Sequence, residues 1–262
     1  MMFVALTLSI AAPAQAADVP NIAAASDLQF ALPDIVAAFR RATGDDVRSS
    51  FGSSGNFRQQ IADGAPFELF LSADASYVEA LAREQRTVDE GVVYAIGRLA
   101  LFVPNGSPIE PDPQLRDVAA AIADGRLRKF AIANPEHAPY GRAAQQVLTH
   151  AGLWKAIEPH LVLGENISQA AQFSTTGAAQ AGIVAYSLVR SPAMAGKGRY
   201  VVLPASQHDP LVQRMALLRG AGTTARAFYA FLQQSTARAI LERYGFELPP
   251  QPTAATRTPA PA

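Results

Sequence analysis

Asn21-Ile22-Ala23-Ala24-Ala25-Ser26-Asp27-Leu28 is a run of small and apolar residues that meets two polar ones where a strand should give way to a helix. Asn21 to Ala25 reads as a strand of small residues, and Ser26 stands where a helix N-cap belongs, because its hydroxyl can accept from a first-turn N–H. Beyond it Leu28, Leu32, Ile35, Val36 and Phe39 recur at helical spacing as far as Gly44. Pro33 interrupts that stripe, which marks either a kink or the first turn of a helix that follows an irregular start.

Working outward, Val47 to Phe51 is predicted as a second strand, Asn56 to Ala62 as a short helix and Pro66 to Ser72 as a third strand. Repeated strand, loop and helix imply a mainly parallel sheet covered on both faces. Two later apolar runs, Arg98-Leu99-Ala100-Leu101-Phe102-Val103-Pro104 and Arg214-Met215-Ala216-Leu217-Leu218-Arg219, each begin at an arginine and bracket a second series of alternating elements. That series holds the strand Phe130-Ala131-Ile132-Ala133, a helix after Gly141 and the strand Gly182-Ile183-Val184-Ala185. An α/β unit inserted between two crossing strands gives two lobes with mixed sheets, a hinge and an interlobe cleft. The predicted boundaries are 18–98 plus 205–247 for lobe 1 and 99–204 for lobe 2. Ligands of open α/β sheets sit outside the carboxyl ends of the strands, so the cleft is the natural site.

Four separate segments offer neutral donors at such ends: Ala23-Ala24-Ala25-Ser26-Asp27, Phe51-Gly52-Ser53-Ser54-Gly55-Asn56, Ala138-Pro139-Tyr140-Gly141 and Gly164-Glu165-Asn166-Ile167-Ser168. A helix start leaves N–H groups unpaired and carries the positive end of the peptide dipoles, so several starts aimed at one point hold an anion without a cation. Taken singly, each has a plain structural reading: Ser26 an N-cap, Ser53-Ser54-Gly55 a turn, Tyr140 a loop residue, Ile167 core.

Lys plus Arg and Asp plus Glu both number 22, which leaves no net charge and no electrostatic footprint for nucleic acid. There is no cysteine, hence no disulfide and no thiolate metal site or nucleophile. The histidines, His137, His150, His160 and His208, form no metal-binding pattern and read as surface residues, and Gly52-Ser53-Ser54-Gly55-Asn56 lacks the last glycine of a nucleophile elbow. The apolar start followed by Ala14-Gln15-Ala16 predicts an export signal over 1–16, although no Lys or Arg precedes its apolar core. The Pro, Ala and Thr residues of 248–262 cannot build a packed core and predict a disordered tail.

The runs Ala23-Ala24-Ala25-Ser26, Ser53-Ser54-Gly55 with Gln60-Ile61-Ala62-Asp63-Gly64-Ala65-Pro66, Asn134-Pro135-Glu136-His137-Ala138-Pro139-Tyr140-Gly141 and Glu165-Asn166-Ile167-Ser168-Gln169-Ala170 together resemble the periplasmic molybdate-binding proteins of ABC transporters, the ModA family, over about residues 20 to 247. The resemblance implies the two-lobed α/β fold of type II periplasmic binding proteins. It implies a periplasmic monomer that takes molybdate and tungstate as ligand, uses no cofactor, catalyses no reaction and serves an inner-membrane ABC permease.

Carried over by position, Ser26 and Ser54 supply hydroxyl and backbone donors, Ile167 a backbone N–H and Tyr140 its hydroxyl. The family offers a second tyrosine position, but there this chain reads Gly182-Ile183-Val184-Ala185-Tyr186, with Tyr186 alternating away from the cleft. Asp27 departs from a neutral donor set. It points away and offers only its backbone N–H, favours the helix start electrostatically, or accepts a proton from an oxyanion such as hydrogen phosphate. Sulfate or phosphate binding, and a secreted hydrolase or lyase on the same scaffold, stand as alternatives.

Overall fold

Ten strands divide into two five-stranded mixed sheets in a computed structural model that describes residues 19–250. The predicted export signal and residues 251–262 of the predicted tail lie outside the described residues. In chain order the strands are β1 (Asn21–Ala25), β2 (Arg48–Gly52), β3 (Leu69–Ser72), β4 (Val92–Gly97), β5 (Leu99–Pro104), β6 (Phe130–Ala133), β7 (Leu161–Gly164), β8 (Ala181–Ala185), β9 (Gly198–Val202) and β10 (Leu211–Leu217). The helices are α1 (Ala31–Thr43), α2 (Ser54–Ala62), α3 (Ala75–Arg83), α4 (Arg116–Ala123), α5 (Pro139–His150), α6 (Trp154–Ile157), α7 (Ile167–Thr175), α8 (Tyr186–Val189), α9 (Thr223–Phe231) and α10 (Ser235–Arg243).

The first sheet has the order β2-β1-β3-β10-β4, with β1 parallel to β2 and β3, and β10 antiparallel to β3 and β4. The second has the order β7-β6-β8-β5-β9, with the parallel set β7-β6-β8 extended by antiparallel β5 and β9. Central strands such as β3 and β6 are buried along their whole length, because helices cover both faces of each sheet. The first sheet separates two apolar clusters, one around Phe39 and Phe228 and one around Phe57 and Phe70, and a third cluster fills the second lobe.

The chain passes between lobes at Arg98, the single residue separating β4 from β5, and returns through 203–210. The two runs that begin at arginines therefore belong to different sheets. Arg98 joins both passages, since Nη2 donates to Leu203 O at 3.1 Å and Nη1 pairs with Glu247 beyond α10. β10 also starts at Leu211, three residues before the predicted Arg214, and so includes Gln213, which is fully buried.

α1 begins at Ala31, after a short 3-10 turn over Ser26–Leu28, so Pro33 lies in the first helical turn and not at a kink. Ser26 caps neither this turn nor α1; its hydroxyl oxygen reaches the other lobe instead. Gly44 ends α1 in the left-handed region at φ 82°, where a glycine carries no steric penalty. Phe39 on this helix meets Phe228 and Phe231 of α9 edge-on, at centroid distances of 5.1 and 5.5 Å. Just after α10, Tyr244 donates to Asp34 Oδ2 at 2.9 Å. Leu248 packs against the same core and Pro249 O accepts from Arg238 Nη2 at 2.8 Å, so residues 248 and 249 belong to the fold and not to the tail.

Phe39 is the aromatic centre that holds the C-terminal helices on the first lobe. Phe39→Ala is expected to cost about 3–5 kcal/mol in urea unfolding, as for other buried Phe truncations, whereas a loss below about 1 kcal/mol would show that α9 docks without it.

Candidate anion site

The loops after β1, β2, β6 and β7 meet at the seam between the lobes, each leaving the carboxyl end of its strand. They enclose a small cavity of about 10 Å³ lined by Ser26, Asp27, Ser54, Tyr140 and Ile167 among others, with no Lys or Arg in its wall. All five of these residues are at most 3% exposed. Every residue assigned to the site from the sequence therefore borders one small buried space.

The first turns of three helices face this space. Ser54 is the first residue of α2, and the Ser53 hydroxyl caps that helix by accepting from Asn56 N at 3.3 Å. At α7 the Asn166 carboxamide accepts from Ser168 N and Gln169 N at 3.0 and 3.1 Å. The Ile167 N–H, one position earlier, has no acceptor among the described residues. At α5 the cap position is Ala138, without a capping side chain, and Pro139 has no N–H, so Tyr140 presents the first N–H of that helix.

Two hydroxyls complete the donor set. Ser54 Oγ accepts from Ala73 N at 2.9 Å, and Ser26 Oγ accepts from Ser168 N at 3.4 Å. Neither hydroxyl has an acceptor for its own proton among the described residues, so each has a proton to donate to a guest.

Tyr140 is placed differently from the sequence expectation. Its ring borders the cavity, but its hydroxyl donates to Asp27 Oδ2 at 2.9 Å, so the proton assigned to a ligand has a protein acceptor. Gln213 Nε2 donates to the same oxygen at 2.6 Å, and Tyr94 donates to Gln213 Oε1 at 2.6 Å. Gly97 makes room for this chain of groups: a Cβ there would collide with the Tyr140 hydroxyl and Gln213 Nε2. Tyr186 opens α8 and its ring packs beside Gly245 and Tyr200, away from the cavity.

Asp27 borders the cavity, and its side chain reaches Tyr140 and Gln213. Its carboxylate is buried, Oδ2 accepts the two bonds just described, and Oδ1 has no hydrogen-bond partner among the described residues. Burial raises its pKa to about 6, against the opposing pull of the Gln213 and Tyr140 hydrogen bonds and of the Asp27 and Leu28 backbone.

The lobes are closed on one another around this point. Gly55 N donates to His137 O at 3.0 Å, Ser168 Oγ to Ser26 O at 2.7 Å and Ser187 Oγ to Asp27 O at 2.8 Å. Ser53 Oγ lies 3.0 Å from His137 Nδ1, and Arg142 of α5 pairs with Asp74 ahead of α3. His137 is thus half-buried at the seam and not a surface residue. Ser168, Gln213, Tyr94 and His137 went unassigned in the sequence. Gln213 alone carried a readable signal there, as a lone amide between apolar residues at the start of β10.

A family model described as bacterial extracellular solute-binding protein matches residues 20–247. A molybdate-binding protein ModA of Rhodobacter capsulatus is 38% identical over 92% of this chain and 93% of its own length. The protein of the same name from Azotobacter vinelandii is 36% identical over 91% of this chain and 93% of its own. The solved structure of a periplasmic molybdate-binding protein from Azotobacter vinelandii superposes with a TM-score of 0.79 at 31% identity, covering 88% of this chain and all of that one.

The Asp27 shift makes stability depend on pH. The folded value lies above the ordinary one, so the contribution is fully present below the unfolded value near pH 4 and is lost as pH rises through about 6. The whole term is on the order of 3 kcal/mol, about half of it falling between pH 5 and 7.5. In urea unfolding without added oxyanion, the wild type is expected to lose about 1.5 kcal/mol more than Asp27→Asn between those two pH values. Parallel losses would place the titration elsewhere.

Proposed function

The chain belongs to the bacterial extracellular solute-binding proteins, and from that premise we propose that it captures molybdate between its lobes in the periplasm and delivers it to an ABC permease. The observation that carries this reading is the donor set. Three helix N-termini that follow strands of two different sheets and two serine hydroxyls with uncommitted protons border one buried cavity with no Lys or Arg in its wall.

Such a set suits a tetrahedral oxyanion of charge two. Oriented N–H and O–H groups in a dry site stabilise charge without reorganising, and hydrogen bonds to a charged group are about twice as strong as neutral ones. The contacts are Ser26 and Ser54 through their hydroxyls, and Ser54, Tyr140 and Ile167 through their backbone N–H groups. Tungstate, as the near-isosteric dianion, fits the same donors, while the smaller sulfate reaches fewer of them at once.

Release follows from the construction. The donors come from both lobes, so opening about the passages at Arg98 and 203–210 takes the donors of one lobe off the ion at once. The closed form is bridged by short polar contacts at the seam, such as that of Ser168 with Ser26, and these exchange readily with water when the lobes part.

Molybdate and tungstate are expected to raise the melting temperature, by about 2.7 kcal/mol of added stability at a hundredfold excess over Kd, while sulfate at the same concentration leaves it in place. An equal shift with sulfate would overturn the selectivity.

The two adjacent serines separate binding from folding. Ser54→Ala removes a donor to a charged guest and is expected to weaken molybdate binding by about 1.5–3 kcal/mol in calorimetric titration. Ser53→Ala removes the α2 cap and is expected to cost about 1 kcal/mol of stability with a smaller effect on affinity. The reverse order of affinities would mean that Ser53 faces the ion.

A further inference from the structure

An acidic residue bordering an anion site is an electrostatic contradiction, and the geometry of Asp27 points to how it is resolved. One oxygen, Oδ2, is occupied by the Tyr140 hydroxyl and the Gln213 amide. The other, Oδ1, is buried and has no partner among the described residues, on a residue that borders the cavity. An acceptor with nothing to accept from is a costly arrangement in a buried place, whereas the same oxygen carrying a proton is a donor with an acceptor waiting in any bound oxyanion.

We propose that Asp27 works in its neutral form as a further donor, with Oδ1–H directed at the bound dianion, so that capture of one molybdate takes up one proton from solvent. The proposal rests on the molybdate reading given above. The balance is simple: free protein with ionised Asp27, one dianion and one proton give the complex with neutral Asp27, and no bond of the ligand is broken. Oδ2 keeps its two donors in either state, so the carboxyl group need not rotate to change its role.

The groups in contact with Asp27 carry no charge of their own near neutral pH. Tyr94 of β4 and Tyr140 of α5 stay neutral, since burial pushes both hydroxyls well above their usual range. Gln213 of β10 and Ser187 of α8, which donates to the Asp27 carbonyl, carry no charge. At the lobe seam stand His137, beside Ser53 and facing Glu165, and the Arg142–Asp74 pair. Burial holds the Asp27 carboxyl near pH 6 when the lobes are closed, and a dianion beside it raises that value further. Uptake is then close to complete at neutral pH and small in mild acid, where the proton is already in place.

The test is titration calorimetry of the full chain with sodium molybdate in buffers of different ionisation enthalpy, at pH 5 and pH 7.5, for wild type and Asp27→Asn. The wild type is expected to take up close to one proton per molybdate at pH 7.5 and close to none at pH 5. Its Kd should weaken by up to tenfold per pH unit above pH 6. In Asp27→Asn the amide keeps the acceptor for Tyr140 and Gln213 and supplies a permanent N–H in place of Oδ1–H, so proton uptake should vanish and Kd should become flat with pH. Tight wild-type binding without proton uptake at pH 7.5 overturns the proposal and leaves the molybdate reading standing. Uptake that persists in Asp27→Asn also overturns it and places the proton on another group. A wild type that binds no molybdate overturns the reading of function itself.

Discussion

The unpaired N–H groups at a helix start must find an acceptor, and here three helices from two sheets bring theirs to one buried cavity. α2 belongs to the first lobe, α5 and α7 to the second, and each begins at the carboxyl end of a parallel strand. Exposed, these groups would be satisfied by water; shut between the lobes they need an acceptor that the protein does not supply. The architecture as a whole serves to bring those helix starts together. The parallel strands aim the helices, the passages at Arg98 and 203–210 let the lobes meet, and local capping by Ser53 and Asn166 satisfies neighbouring N–H groups while sparing those of Ser54 and Ile167.

Beneath the cavity lies a second polar layer that is unusual for a core. Tyr94, Gln213, Asp27 and Tyr140 form a hydrogen-bonded chain that joins strands of the first lobe to a helix of the second. Gln213 and Asp27 are at most 1% exposed, so every polar atom in the chain must be paired or pay a desolvation cost. All but Oδ1 of Asp27 are paired, and that atom belongs to a residue in the wall of the cavity. Closure of the lobes and the ionisation of Asp27 are therefore coupled through the Tyr140 hydroxyl, which crosses the seam to reach Oδ2.

Much of this is legible in the chain itself, and the places where it is not are informative. The alternation of strands and helices, the first strand at Asn21–Ala25 and the four loop segments follow from periodicity and from small polar residues at strand ends. The direction of the Tyr140 hydroxyl does not, because its acceptor is 113 positions away and its neighbour Gln213 lies 73 positions further along the chain. Spacing within a segment says nothing about such long-range pairs. Ser26 illustrates the same limit from the other side: its type suits a cap, yet the backbone turns as a 3-10 segment and tertiary contact with Ser168 decides its role. The start of β10 was obscured by Gln213, a polar residue that a strand reading of the apolar run naturally leaves outside.

An anion held by neutral groups is the centre of this account, and a crystal structure of the molybdate complex, with the metal located by its anomalous scattering, tests it most directly. The account predicts one molybdenum atom in the cavity between Ser26, Ser54, Tyr140 and Ile167, with every oxygen contact made by a hydroxyl, a backbone N–H or the Asp27 carboxyl group. A molybdenum atom in the wider groove that shares Ser26 and carries Lys197, or any Lys or Arg nitrogen in contact with the ion, would contradict it.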